Sequence, residues 1–142
     1  MNAALARFLA VDYGAKRIGL AIADTIGMIA TPAGFIAKRA GKRPPIAEIM
    51  RRAEALEARG FIVGLPLDGD GNETEWTAEV RRVGSELGRR TNLPVRFLDE
   101  RYTTSASLRT IREMEGSTRG RKGDVDAMAA AVLLQNALNA PE

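Results

Sequence analysis

Residues 6–24 read ARFLAVDYGAKRIGLAIAD. Two apolar runs of strand length, 6–12 and Ile18–Ala23, flank a Gly-Ala-Lys-Arg stretch, so the segment reads as a β-hairpin whose first strand ends on a carboxylate, Asp12. Working outward, Met28–Ala37 reads as a third strand, with Pro32 and Gly34 placing it at an edge or a bulge. Pro44 and Pro45 open a helical pattern carried by Ile46, Ile49, Met50, Ala53 and Leu56, and Gly60 reads as its stop. Phe61–Leu65 and Val95–Leu98 are short apolar strands of the kind buried on both faces of a sheet. Between them, Asp68–Asn72 (DGDGN) reads as a loop, followed by a polar helix from about Thr74 to Arg90 with Trp76, Val80, Val83 and Leu87 on one stripe. The pattern closes with a helix from Thr103 or Thr104 to Glu115, a glycine-rich basic loop over 116–123, and an apolar helix over 125–138 capped by Asp124. The fold class is α/β: one domain built on a mixed sheet flanked by helices, with sites expected at the carboxyl ends of the strands.

The composition narrows the chemistry. The chain of 142 residues has no cysteine and no histidine, which excludes thiolate zinc sites, Cys nucleophiles, Ser-His-Asp triads and imidazole acid–base catalysis. Catalysis would have to run on carboxylates, Lys/Arg, hydroxyls, backbone amides or an oxygen-bound ion. No uncharged run reaches the ~20 apolar residues of a membrane span, and Met1–Phe8 lacks the pattern of a signal sequence, so no membrane partner and a cytoplasmic location are expected. The net charge of +3 is unevenly spread, with basic clusters at Lys38–Arg43, Arg51/Arg52 and Arg119–Lys122. Each cluster could neutralise phosphates, and each could equally be a solvated loop.

Acids recur at the ends of elements: Asp12 on the first strand, Asp99 and Glu100 after Val95–Leu98, and Asp124 and Asp126 at the last helix. Parallel central strands would bring these ends to one edge. Three clustered carboxylates suit Mg²⁺ or Mn²⁺, hard cations that take oxygen ligands, and two such ions about 4 Å apart can drive phosphodiester hydrolysis without histidine or cysteine. Each acid also has a plainer use. Asp12 beside Gly14 could shape a turn, one of Asp99/Glu100 could pair with Arg101, Asp124 could cap the helix, and Asp126 suits its first turn. Tyr13 and Tyr102 could stack on a base or simply pack, and Trp76 could serve the core or a partner.

The stretches Val11–Asp24 (VDYGAKRIGLAIAD), Val63–Leu67 (VGLPL), Leu98–Thr104 (LDERYTT) and Asp126–Ala130 (DAMAA) resemble, in order and spacing, the motifs of the YqgF/RuvX family. These are Holliday-junction-resolvase-like proteins, also described as nucleases of the ribosomal RNA precursor. The resemblance spans about residues 8–138 and implies a ribonuclease-H-like fold, with a five-stranded mixed sheet whose second strand is antiparallel. It further implies a metal-dependent hydrolase in ribosome biogenesis, with Asp12, Glu100 and Asp126 as catalytic acids and ligands of Mg²⁺ or Mn²⁺. Lys16, Arg17 and Arg101 would contact phosphate, and Arg119, Arg121 and Lys122 would lie on a flap over the substrate. RNA is favoured over DNA as the partner, no nucleotide cofactor is expected, and either a monomer or a homodimer is compatible. Two departures stand out: Ala15 where many relatives carry Thr, and the strand Phe61–Leu65 beside the first, which carries no acid, so that Glu100 must reach across from the next one. The competing readings are a DNA junction resolvase, a non-catalytic RNA-binding protein, and an actin-type phosphotransferase, which would need a second such domain.

Overall fold

The computed structural model describes residues 2–100 and 122–140. Strands β1 (Phe8–Tyr13), β2 (Arg17–Ala23), β3 (Ala30–Ala37), β4 (Gly60–Leu65) and β5 (Val95–Asp99) form one sheet in the order β3-β2-β1-β4-β5. β2 runs antiparallel to both β1 and β3, whereas β4 and β5 run parallel to β1. This is the mixed sheet with an antiparallel second strand that the sequence leads one to expect. The carboxyl ends of β1, β3, β4 and β5 and the start of β2 therefore share one edge.

Side-chain alternation sorts the core into two layers of different coarseness. On one face Leu9, Val11, Ile18, Leu20, Phe61 and Val63 meet α1 (Ile46–Ala55) and α2 (Glu75–Thr91). On the other face Ala10, Ala21 and Ala23 meet Ala130, Leu133, Leu134 and Leu138 of α3 (Lys122–Asn139). Small side chains on this second face let α3 lie close against β1, β2 and β3. All six β1 residues are buried, as expected for a strand covered on both sides.

Several boundaries differ from the sequence reading, each for a local reason. α1 stops at Ala55, well before Gly60. The chain reverses at Glu57 (φ 55°), where the Ala58 N–H donates to the Ala53 carbonyl at 2.9 Å in a Schellman-like closure. Gly60 instead opens β4, and an added Cβ there would meet the Phe8 ring at 2.4 Å. α3 begins at Lys122, so Asp124 sits inside its first turn and is not its N-cap. β3 begins at Ala30, not Met28, and as the edge strand it accommodates Pro32 beside a register irregularity opposite Gly19–Ala21. The Asp68–Asn72 loop is a turn closed on one carboxylate, with Asp68 Oδ1 accepting from the Asp70 and Asn72 N–H groups at 3.0 and 2.8 Å. The helix expected over 103–115 lies outside the described residues.

α2 is anchored where the sequence places its cap. Thr74 and Thr77 form a reciprocal capping box, and the fully buried Thr77 hydroxyl donates to the Pro66 carbonyl at 2.8 Å, tying the helix to the end of β4. Thr77→Val keeps the shape but strands that carbonyl and the Thr74 N–H. We expect a loss of about 1–3 kcal/mol, read as a lower urea midpoint at unchanged slope.

Candidate active site

Asp12 lies on the α3 face of β1, directly opposite Gly19 of β2. On its other side Val63 pairs with Val11, so Gly64 is the β4 neighbour that follows into the same row. The acid is thus flanked across the sheet by two residues without side chains. α3 uses the first gap: a Cβ on Gly19 would fall 2.0 Å from the Asp126 carbonyl oxygen, so the backbone of Asp126 rests on the sheet there. Glu100 uses the second: a Cβ on Gly64 would fall 2.5 Å from its Oε2. The absence of an acid on β4 is therefore part of the design, because Gly64 vacates the space into which the Glu100 carboxylate reaches. Glu100 follows β5, with its N–H directed at the Leu65 carbonyl at 3.4 Å.

Asp12, Glu100 and Asp126 are each at most 3% exposed, unusual for carboxylates. Asp126 carries its own counter-charge: Arg17 Nε donates to its Oδ2 at 2.6 Å. Arg17, expected from the resemblance to contact phosphate, is thus paired with Asp126 in this structure. Among the described residues no group of three acidic side chains is gathered tightly enough to hold a metal ion as it stands. The donor set nevertheless fits a hard cation, with the Asp12 and Glu100 carboxylates and Asp126 gathered about a glycine-flanked row and no histidine or cysteine in the chain to favour a softer metal.

Burial first, and the neighbouring Asp99 second, push the Glu100 carboxyl up to about 7. A carboxyl with a raised folded-state pKa holds its proton in the native protein after the unfolded chain has released it. Its contribution to stability is therefore complete below the ordinary carboxyl range and is lost as pH rises through about 7. We expect the metal-free protein to lose on the order of 2–3 kcal/mol between pH 5 and pH 8, and Glu100→Gln to flatten that slope, in urea denaturation run at both pH values.

The turn carrying the cationic residues is held from β3. Lys38 N–H donates to the Lys16 carbonyl at 2.9 Å, and Lys38 Nζ donates to the Gly14 carbonyl at 3.2 Å. The same ammonium lies 4.2 Å from the centroid of Tyr13 and 5.1 Å from that of Trp76, and its burial lowers its pKa. Tyr13, only 2% exposed, packs on Trp76 at 5.6 Å between centroids; it is a core residue here and offers no platform to a base. Lys16 is exposed on the turn. Arg101, Arg119, Arg121 and the remainder of the proposed flap lie outside the described residues, as do Tyr102 and the side chain of Lys122. Sequence reasoning missed Gly19, Gly64 and the Lys38 anchor. Glycines inside strands are a usable signal of close approach, whereas nothing local marks Lys38.

The family model RuvX, described as Holliday junction resolvase, matches residues 6–140. The chain belongs to the RuvX family. Three curated relatives named "Putative pre-16S rRNA nuclease" show how much of the chain the RuvX likeness covers. The one from Rickettsia bellii is 36% identical over 94% of this chain and 86% of its own length. That from Nitratidesulfovibrio vulgaris is 38% identical over 96% and 95%, and that from Anaeromyxobacter sp. is 38% identical over 94% and 96%. Among solved structures, RuvC of T. thermophilus in complex with a Holliday junction substrate superposes with a TM-score of 0.56 at 14% identity, covering 92% of each chain. The same organism's RuvC structure gives 0.57 at 12%, covering 92% of this chain and 93% of that one. The RuvX chain thus has the RuvC-like, ribonuclease-H-like fold that the motifs imply. No helix among its described residues is long and apolar enough to cross a membrane.

Proposed function

We propose that this chain is a divalent-cation-dependent endonuclease that hydrolyses phosphodiester bonds in structured RNA, processing the end of the small-subunit ribosomal RNA precursor in the cytoplasm. The observation that carries the reading is the row Gly19-Asp12-Gly64, overlain on one side by Asp126 and on the other by the Glu100 carboxylate. Asp12, Glu100 and Asp126 come from distant parts of the chain and are all buried, and a buried carboxylate is kept where it is paired or helps to bind a cation. Family membership and the names of the curated relatives support a nuclease of ribosomal RNA precursor.

Asp12, Glu100 and Asp126 would hold the ion. When bound, Mg²⁺ or Mn²⁺ supplies Lewis acidity that acidifies an attacking water and offsets charge on the phosphate. The chain's own part is binding and orientation. Asp126, now paired with Arg17, would be the ligand on α3, and Arg17, with Lys16 beside it, would offer its donors to a phosphate oxygen. Because the sequence holds no imidazole, the chain's proton acceptors at this site are carboxylate oxygens.

A DNA-junction activity is the second reading, favoured by the family description and by the fold shared with the junction-bound RuvC. Matched RNA and DNA substrates, incubated with Mg²⁺, Mn²⁺ or chelator, separate the two. We expect metal-dependent cutting of an RNA spanning the precursor end and none in chelator. Preferential cutting of a four-way DNA junction would move the assignment to the second reading, and undiminished cutting in chelator would overturn the metal-dependent mechanism.

A further inference from the structure

A cleft of about 540 Å³ opens at the same sheet edge, on the α1/α2 side, between the β1–β2 turn and the loop after β3. Its lining includes Lys16, Arg17, Lys38, Arg39 and Lys42, against a single acid, Glu79. A second hollow of about 450 Å³ continues from Arg39, Lys42 and Arg43 to Arg51 and Arg52 on α1. The loop is shaped to present its charges. The Lys42 N–H donates to the Arg39 carbonyl at 3.1 Å, and Gly41 (φ 74°) supplies the positive φ of a type II turn, so Arg39 and Lys42 stand at the two ends of one tight turn.

The charges divide into two sets. Lys38 is held by the Gly14 carbonyl and two aromatic rings, Arg17 by Asp126, and Arg51 and Arg52 by Glu48. Lys16, Arg39, Lys42 and Arg43 are exposed and make no ion pair with any described residue. Clustered cations repel one another, and that repulsion is relieved when an anion binds.

We propose that the 38–43 loop and the β1–β2 turn form a track for the phosphodiester backbone of a nucleic acid, contacting phosphates that flank the one at Asp12. This rests on the nuclease reading but adds to it. The track lies at the same sheet edge as the acids, on the α1/α2 side, and offers cations to phosphates alone, so it binds without reading sequence and demands a substrate that extends beyond the cut.

Arg39→Ala/Lys42→Ala, made in an Asp12→Asn background so that nothing is cut, tests the track. Binding is measured against salt for two probes, an RNA hairpin with a single-stranded extension and a four-way DNA junction. Each lost phosphate contact lowers the slope of log K against log salt by about 0.7–0.9. We expect a slope shallower by about 1–2 and affinity reduced about tenfold at moderate salt, with an unchanged melting temperature. Arg89→Ala/Arg90→Ala, an equal loss of charge at the end of α2, should leave the slope alone. A reduced slope on only one probe supports the track and identifies the nucleic acid it carries. If the wild type cuts in Mg²⁺ yet the Arg39/Lys42 variant keeps the parent slope, the track is overturned and the nuclease reading stands. If the slope falls but the wild type cuts neither probe with any metal, the track stands and the nuclease reading fails. A parent that binds neither probe overturns both.

Discussion

Replacing Asp12 by Asn is expected to lower divalent-cation-dependent cleavage by at least about 1000-fold, some 4 kcal/mol of transition-state stabilisation, while nucleic-acid binding is kept or improved. Asn has the shape of Asp, so the row between Gly19 and Gly64 stays filled and α3 keeps its seat. What is lost is one negative charge in a site that already buries Glu100 and Asp126. A hard cation binds carboxylate oxygen far better than amide oxygen, so the variant should need much higher Mn²⁺ to saturate, visible by calorimetry without any substrate. Cleavage at the wild-type rate would make Asp12 a structural turn residue and leave only the binding reading.

The second large effect separates the two glycines beside Asp12. Gly19→Ala would place a methyl group 2.0 Å from a backbone carbonyl of α3, and backbone cannot swing aside. The helix must lift, taking Leu133, Leu134 and Leu138 off the sheet, and we expect a loss of about 3 kcal/mol or more in urea denaturation. In Gly64→Ala the methyl group meets the far end of a side chain, Glu100 Oε2 at 2.5 Å, with Leu133 Cδ2 at 3.1 Å. That carboxylate can move, so the fold should lose only about 1 kcal/mol, whereas displacing the acid by an ångström should cost cleavage roughly 100-fold. Equal destabilisation by both, or full activity in folded Gly64→Ala, would contradict this account of how the acids are seated.

Much of this was legible in the chain. The hairpin is announced by two apolar runs around Gly14-Ala15-Lys16-Arg17, and the Thr74 cap and the stripe from Trp76 to Leu87 place α2 almost to the residue. The errors are boundary errors: Gly60 was the plausible stop for α1, yet Glu57 in a left-handed conformation ends it earlier, because the closure depends on hydrogen bonds that composition does not announce. At the site, positions at element ends single out Asp12, Asp99, Glu100, Asp124 and Asp126, and the resemblance to the family motifs selects Asp12, Glu100 and Asp126 among them. The Arg17–Asp126 pair was not, since 109 residues separate the partners and nothing local to either one marks the other.

Periodicity and punctuation in the sequence settled which segments become strands and helices, and the missing histidines and cysteines settled which chemistries this RuvX family member can use. Local patterns are enough for both, because hydrophobic spacing and residue inventory do not depend on what lies far away. Only the tertiary structure decided that Gly19 and Gly64 border Asp12, that Glu100 crosses over one of them, and that Lys38 pins the turn beneath Lys16 and Arg17. Those facts depend on strand register and on how closely a helix approaches a sheet, and both are fixed by packing between segments far apart in the chain.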